Sequence, residues 1–188
     1  MAAKKAKSWR SGKREGRSRM VQMTRHLVVS EGKETEPRYF EGLRFALSAA
    51  NNRKIAVVVK GTGKHTLDLL DFAVEYCRYA PETFDHVWLV FDKDDFPETD
   101  FNVMERKCAE LSDESRTFHA LWPNPCFELW PLLHLRYTTA PMTAAECQHA
   151  LAQAMSKDLG TEYRKNLDGL FGLIDDRRAE ALQGAARL

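Results

Sequence analysis

Four short apolar segments, HLVVS (26–30), KIAVVV (54–59), HVWLVF (86–91) and TFHALW (117–122), recur along the chain, and their spacing constrains the fold more than any other feature. Apolar runs without polar alternation suit strands covered on both faces, as in a parallel sheet. Each of the first three is followed by a stretch that reads as helix. Pro37 opens one, where its missing N–H is harmless, and Tyr39, Phe40, Leu43 and Leu47 give it an apolar face. Thr66 to about Tyr79 is the second, with Leu67, Leu70, Val74 and Cys77 at helical spacing, and Phe101 to Leu111 is the third, with Val103, Met104, Cys108 and Leu111 on one side. Strand, helix, strand at this interval is the βαβ unit, whose right-handed crossovers generate parallel sheets. The expected class is α/β: a mainly parallel four-stranded sheet, helices on both faces, and a helical C-terminal third. That third runs from a helix near Cys126 through residues 143–157 to 175–188.

Charge divides the chain in two. Residues 1–25 hold nine Lys/Arg against Glu15 alone, a net of +8; the remaining 19 basic and 26 acidic residues leave residues 26–188 at −7. We therefore expect a basic arm over residues 1–24 and one domain over 25–188. Lys4, Lys5, Lys7, Arg10, Lys13, Arg14, Arg17 and Arg19 are the arm's candidates for contact with a phosphate backbone, and a plain solubilising tail is the alternative. A charged N-terminus without a following apolar region argues against a signal peptide, and no run approaches the roughly 20 apolar residues of a membrane span. A cytoplasmic protein with no membrane partner is expected. Cys77, Cys108, Cys126 and Cys147 form no CxxC or His-rich grouping, which argues against zinc and for reduced thiols.

The third apolar segment runs directly into Asp92, Asp94 and Asp95. Two carboxylates about 4 Å apart repel by roughly 1 kcal/mol in water and roughly 4 kcal/mol at the effective dielectric of a surface cleft. Three outcomes relieve that cost: divergence into solvent, protonation of one partner, or a hard cation between them. In a parallel sheet the strand C-termini share one edge, and ligands bind in the crevice beyond it. Glu31, the Gly61 to Lys64 turn, Asp92 to Asp95, Asn124 and Glu128 all follow strand ends. If the extended period of two continues past Phe91, Asp92 and Asp94 project to one side, and Glu31 joins them if the first and third strands are neighbours. An acidic solvated loop is the plainer alternative for DKDDFPETD.

Other acidic and phosphate motifs fit poorly. An EF-hand loop would need an acidic or amide residue at Phe96 and glycine at Pro97. The Walker loop needs glycine where Val58 stands. Gly61 and Gly63 instead suit a tight turn whose backbone N–H groups, with Lys33 and Lys64, could meet a phosphate. Glu128 reads either as a charge favourably placed at a helix N-terminus or as a carboxylate near a metal, and His134 as a packed histidine. Ser30 lacks the flanking glycines of a nucleophile elbow.

VVSEGKETEPRYFEGL (28–43), VWLVFDKDDFP (87–97) and NPCFELWPLLH (124–134), in this order, resemble the RloB-like proteins of the Toprim-fold superfamily over roughly residues 17–188. The resemblance implies a compact Toprim-like, Rossmann-like domain binding Mg2+ (or Mn2+) for phosphodiester chemistry. Asp92 and Asp94 would be metal ligands, Glu31 a ligand or general acid/base, Asp95 a further ligand, and Glu128 and Asn124 would stand behind them. It further implies a nuclease in antiviral defence acting on DNA or RNA, transfer RNA included, often beside a partner ATPase. The alternative is a non-catalytic metal- or nucleotide-binding regulatory subunit. An oligomer is compatible with the sequence.

Overall fold

The computed structural model describes residues 23–50, 54–93 and 98–188. Four strands, β1 (Thr24–Ser30), β2 (Ile55–Gly61), β3 (His86–Val90) and β4 (Thr117–Leu121), form one sheet in the order β2-β1-β3-β4. Every pairing is parallel, with Leu27 opposite both Val58 and Val87 and Trp88 opposite His119. Helices α1 (Thr35–Ala50), α2 (Thr66–Tyr79) and α3 (Glu98–Leu111) make the crossovers. The C-terminal third holds α4 (Leu129–Leu135), α5 (Ala144–Leu159), α6 (Leu170–Ile174) and α7 (Arg178–Ala185), with a 3-10 turn at Asp175–Arg177. No helix among the described residues is long and apolar enough to cross a membrane.

The two-residue period of the strands builds two cores. Leu27, Val29, Val87, Leu89 and Phe91 project to one face, where α2 supplies Leu69, Leu70 and Ala73 and α3 supplies Met104 and Cys108. Val28 and Val90 project to the other, against Tyr39 of α1 and Leu132, Leu151, Met155 and Phe171 of the C-terminal helices. Full burial of a Leu side chain stabilises by about 1.5–3 kcal/mol, and both faces have such residues, so the sheet needs its two layers. Topology assigns the layers: the chain steps from β1 to β2, then passes back beyond β1 to β3. Right-handed crossovers running in opposite directions place their helices on opposite faces.

Three sequence expectations shift. Leu67 and Leu111 are exposed, and the buried stripe of α2 runs instead through Leu69, Leu70, Ala73 and Cys77. Pro37 lies within the first turn of α1, which begins at Thr35. The expected helix near Cys126 starts only at Leu129, the expected helix over 175–188 is a 3-10 turn followed by α7, and α6 precedes it where no helix was expected. Helix α5 starts where its chemistry says it should: Thr143 and Glu146 cap each other's backbone N–H groups, and Gly160 at φ 62° ends the helix in the left-handed region.

Candidate functional site

Reversal of strand order between β1 and β3 opens the crevice in which α/β sheets hold ligands, and Glu31 and Asp92 are the side chains delivered there. Glu31 continues the ladder past β1, its N–H donating to the carbonyl of Val90 at 2.8 Å. Two residues beyond Val90, Asp92 accepts the N–H of Phe127 on Oδ1 at 2.8 Å, which ties the end of β3 to the approach to α4. Both carboxylates line one cavity of about 290 Å3 with Lys33, Glu36, Glu128 and Lys165.

The glycine turn after β2 supports the crevice from beneath. The N–H groups of Thr62 and Gly63 donate to the carbonyls of Ser30 (3.0 Å) and Glu31 (2.7 Å), and that of Lys64 donates to Thr62 Oγ1 (3.0 Å). These donors are engaged within the fold, so the expectation that they meet a phosphate is corrected: the turn braces β1 instead. Gly61 is required by close approach, since a Cβ there would lie 2.8 Å from the carbonyl oxygen of Gly32. Gly63 adopts φ 66°, and a Cβ there would lie 2.1 Å from Cε of Lys33. Lys33 thus lies across the turn and lines the cavity, whereas Lys64, exposed like Lys33, is outside the lining.

Glu31 is held on its other side. His65, the N-cap residue of α2, places Nδ1 2.8 Å from Glu31 Oε1; the imidazole is 78% exposed and the carboxylate 14%. Deeper in the cavity, Glu36 and Glu128 are both buried. Burial pushes the Glu36 carboxyl above its usual range, and the charge of Glu128 adds to the shift while backbone N–H groups oppose it. Glu128 occupies the N-cap position of α4 without a side-chain cap bond; its Oε1 accepts the Tyr163 hydroxyl at 2.9 Å. Burial, then the Glu128 charge, raises the Tyr163 phenol, which stays a donor. Thr35 Oγ1 donates to the carbonyl of Lys165 at 2.7 Å, fastening the segment after α5 to the start of α1.

The structure therefore brings Glu31, Asp92, Glu128 and Lys33 to one cavity. Asn124 lines a different depression, with Pro125, Leu129 and Thr138, because the turn before α4 directs it away, so its place behind the acidic residues is corrected. Asp94, Asp95 and the basic residues from Lys4 to Arg19 lie outside the described residues. His134 is packed as expected, its ring 2.9 Å through Nδ1 from the Trp130 carbonyl. All four cysteines are free and buried. Sequence reasoning missed His65, Glu36, Tyr163 and Lys165. Glu36 had a signal in its place in the first turn of a helix beginning beside Glu31; Tyr163 and Lys165 sit in a segment without pattern and had none.

Among the described residues no three His, Cys, Asp or Glu side chains form a group able to hold an ion by themselves. Mg2+ is commonly held by one or two carboxylates together with water and substrate phosphate, so Glu31 and Asp92, hard oxygen donors on one cavity wall, fit such an ion. Comparison with protein-family models matches residues 26–188 to one described as RloB-like protein, which leaves the basic arm of residues 1–24 outside the match. No curated protein and no solved structure matches the chain.

Proposed function

The chain belongs to the RloB-like family, and from that membership and the meeting of Glu31 with Asp92 we propose a metal-dependent phosphodiesterase that cuts DNA or RNA in antiviral defence. The observation that carries this reading is the convergence of two carboxylates from the ends of adjacent parallel strands on a cavity that Lys33 and Lys165 also line. Glu31 and Asp92, with Asp94 as the third ligand, would hold Mg2+ or Mn2+. When bound, such an ion polarises a phosphoryl oxygen and lowers the pKa of an attacking water.

The chain's own residues do the rest. Lys33, braced across Gly63, presents an ammonium to a phosphate, and Lys165 faces it from the C-terminal segment. His65 fixes one oxygen of Glu31 and so its orientation. Glu36 keeps its proton to higher pH than a solvated carboxylate because it is buried. The basic arm offsets the −7 of residues 26–188 and steers a polyanion to the crevice. A partner ATPase and a transfer RNA substrate belong to the same reading.

A second reading, a regulatory subunit that binds metal or nucleotide without catalysis, is favoured by the lack of a three-ligand group among the described residues. Incubating the full chain with plasmid and total transfer RNA in Mg2+, Mn2+ or EDTA separates the two. Metal-dependent cleavage that disappears in Glu31→Gln and Asp94→Ala is expected. Metal binding by calorimetry without cleavage, with the partner ATPase also present, would establish the regulatory reading instead.

A further inference from the structure

Phe127 lines two cavities. One is the acidic crevice; the other, of about 390 Å3, is walled by Tyr39, Phe40, Trp122 and Trp130 and floored by Val90, two residues before Asp92. Its rings pack edge to face: Tyr39 and Phe127, both buried, are 5.6 Å apart at 68°, and Tyr39 and Phe40 5.5 Å apart at 87°, which leaves Phe40, Trp122 and Trp130 as the less buried rings of the lining. Polar groups in this wall are few and placed. Trp130 Nε1–H donates to the Tyr39 hydroxyl oxygen at 2.7 Å, which turns the hydroxyl proton away from Trp130. Arg178, the charged residue in the lining, is fixed by Asp175 through Nε and Nη2, with Nη1 outside those two bonds. An aromatic slot with a guanidinium in its lining suits a flat, apolar-faced ligand with acceptors on its edge.

Resting on the phosphodiesterase reading, we propose that this slot seats one unpaired nucleobase of the strand whose phosphodiester lies at Glu31 and Asp92. Continuity argues for this occupant: a nucleotide whose phosphate is in the acidic cavity has its base one sugar away, and Phe127 is the shared wall. Every base has an aromatic face, so stacking is tolerant of sequence, while Arg178 donates to ring nitrogens or carbonyls. A base inside a duplex is stacked and paired and cannot enter; only a single strand, a loop, an end or an extruded base can. The slot shares Phe40, Leu43 and Leu121 with a further apolar groove of about 290 Å3 bordered by Trp88 and His26. The substrate class is therefore nucleic acid unpaired at the cut site.

Fluorescence anisotropy of the full chain, with Ca2+ replacing Mg2+ so that binding is read without turnover, tests this. The probes are labelled single strands of about ten nucleotides, as RNA and as DNA, the same backbones with all bases removed, and a duplex. Native strands are expected to bind about 5- to 100-fold more tightly than base-free ones, the range that loss of one stacked base gives. That advantage should shrink in Phe40→Ala and in Arg178→Gln, whose folding is checked by thermal unfolding. The RNA and DNA arms show which sugar is preferred. Equal binding of native and base-free strands, preference for the duplex, no binding of the native strand, or an advantage unchanged in both variants overturns the proposal and returns the slot to a partner protein's apolar side chain. Cleavage in Mg2+ is scored separately: cleavage with no base-dependent binding removes the slot and keeps the phosphodiesterase, and base-dependent binding without cleavage does the reverse.

Discussion

Substituting Asp92 in two ways separates its structural work from its chemical work. Oδ1 accepts the N–H of Phe127, a residue 4% exposed, at 2.8 Å. In Asp92→Ala that buried donor loses an acceptor that is charged, at a cost of about 1.5–3 kcal/mol. For a chain of 188 residues this lowers Tm by about 3–12 °C. Asp92→Asn keeps an oxygen able to accept the same N–H, so its metal-free Tm should stay within about 4 °C of wild type, about 1 kcal/mol. Metal reverses the ranking of similarities. An ion at a hundred times its Kd stabilises the wild type by about 2.7 kcal/mol, or about 5–11 °C, and neither variant should show that gain. Thermal unfolding in EDTA and across a Mg2+ or Mn2+ titration measures both effects. If Asn falls as far as Ala in EDTA, the bond to Phe127 is not what holds β3 to α4; if Asn keeps the wild-type response to metal, Asp92 is not a ligand.

Glu36 has a folded-state pKa raised by burial, so the stability it permits is full below the ordinary carboxylate range and declines as pH rises through the elevated folded value. Urea midpoints of wild type and Glu36→Gln should therefore diverge from about pH 4 upward in favour of Gln, and parallel curves would refute the shift. Gly63→Ala places a side chain in the left-handed region and against Cε of Lys33; a Tm loss of about 2–8 °C is expected from about 1–2 kcal/mol of backbone strain, together with weaker phosphate binding, and an unchanged Tm contradicts the geometry. Deleting residues 1–22 removes eight of the nine basic residues counted before residue 26 and should weaken nucleic-acid binding and flatten its salt dependence, whereas identical binding across salt concentrations would leave the arm without that role.

Much of the fold was legible because parallel strands buried on two faces need apolar runs, and runs of that kind stand out wherever they occur. The helix expected from Thr66 to about Tyr79 is α2, since its polar start and helical stripe are local. The stripe itself was misassigned by one position at Leu67, because which side of a helix meets the sheet is set by the crossover and not by the helix. Likewise the C-terminal helices were legible one by one, but not that α4 packs against both α7 and α5.

Sequence by itself determined the βαβ order, the strand-end positions of Glu31 and Asp92, and the opposed charges of arm and body, all of which follow from local patterning and composition. Tertiary structure alone decided that β1 and β3 are neighbours, that Glu36 and Lys165 line the acidic cavity while Tyr163 holds Glu128, and that rings from α1, β4's end and α4 line a slot beside it. The division has one cause. Periodicity records which side of an element avoids water, whereas a cavity is made by residues distant along the chain, each of which, taken alone, looks like ordinary surface or ordinary core.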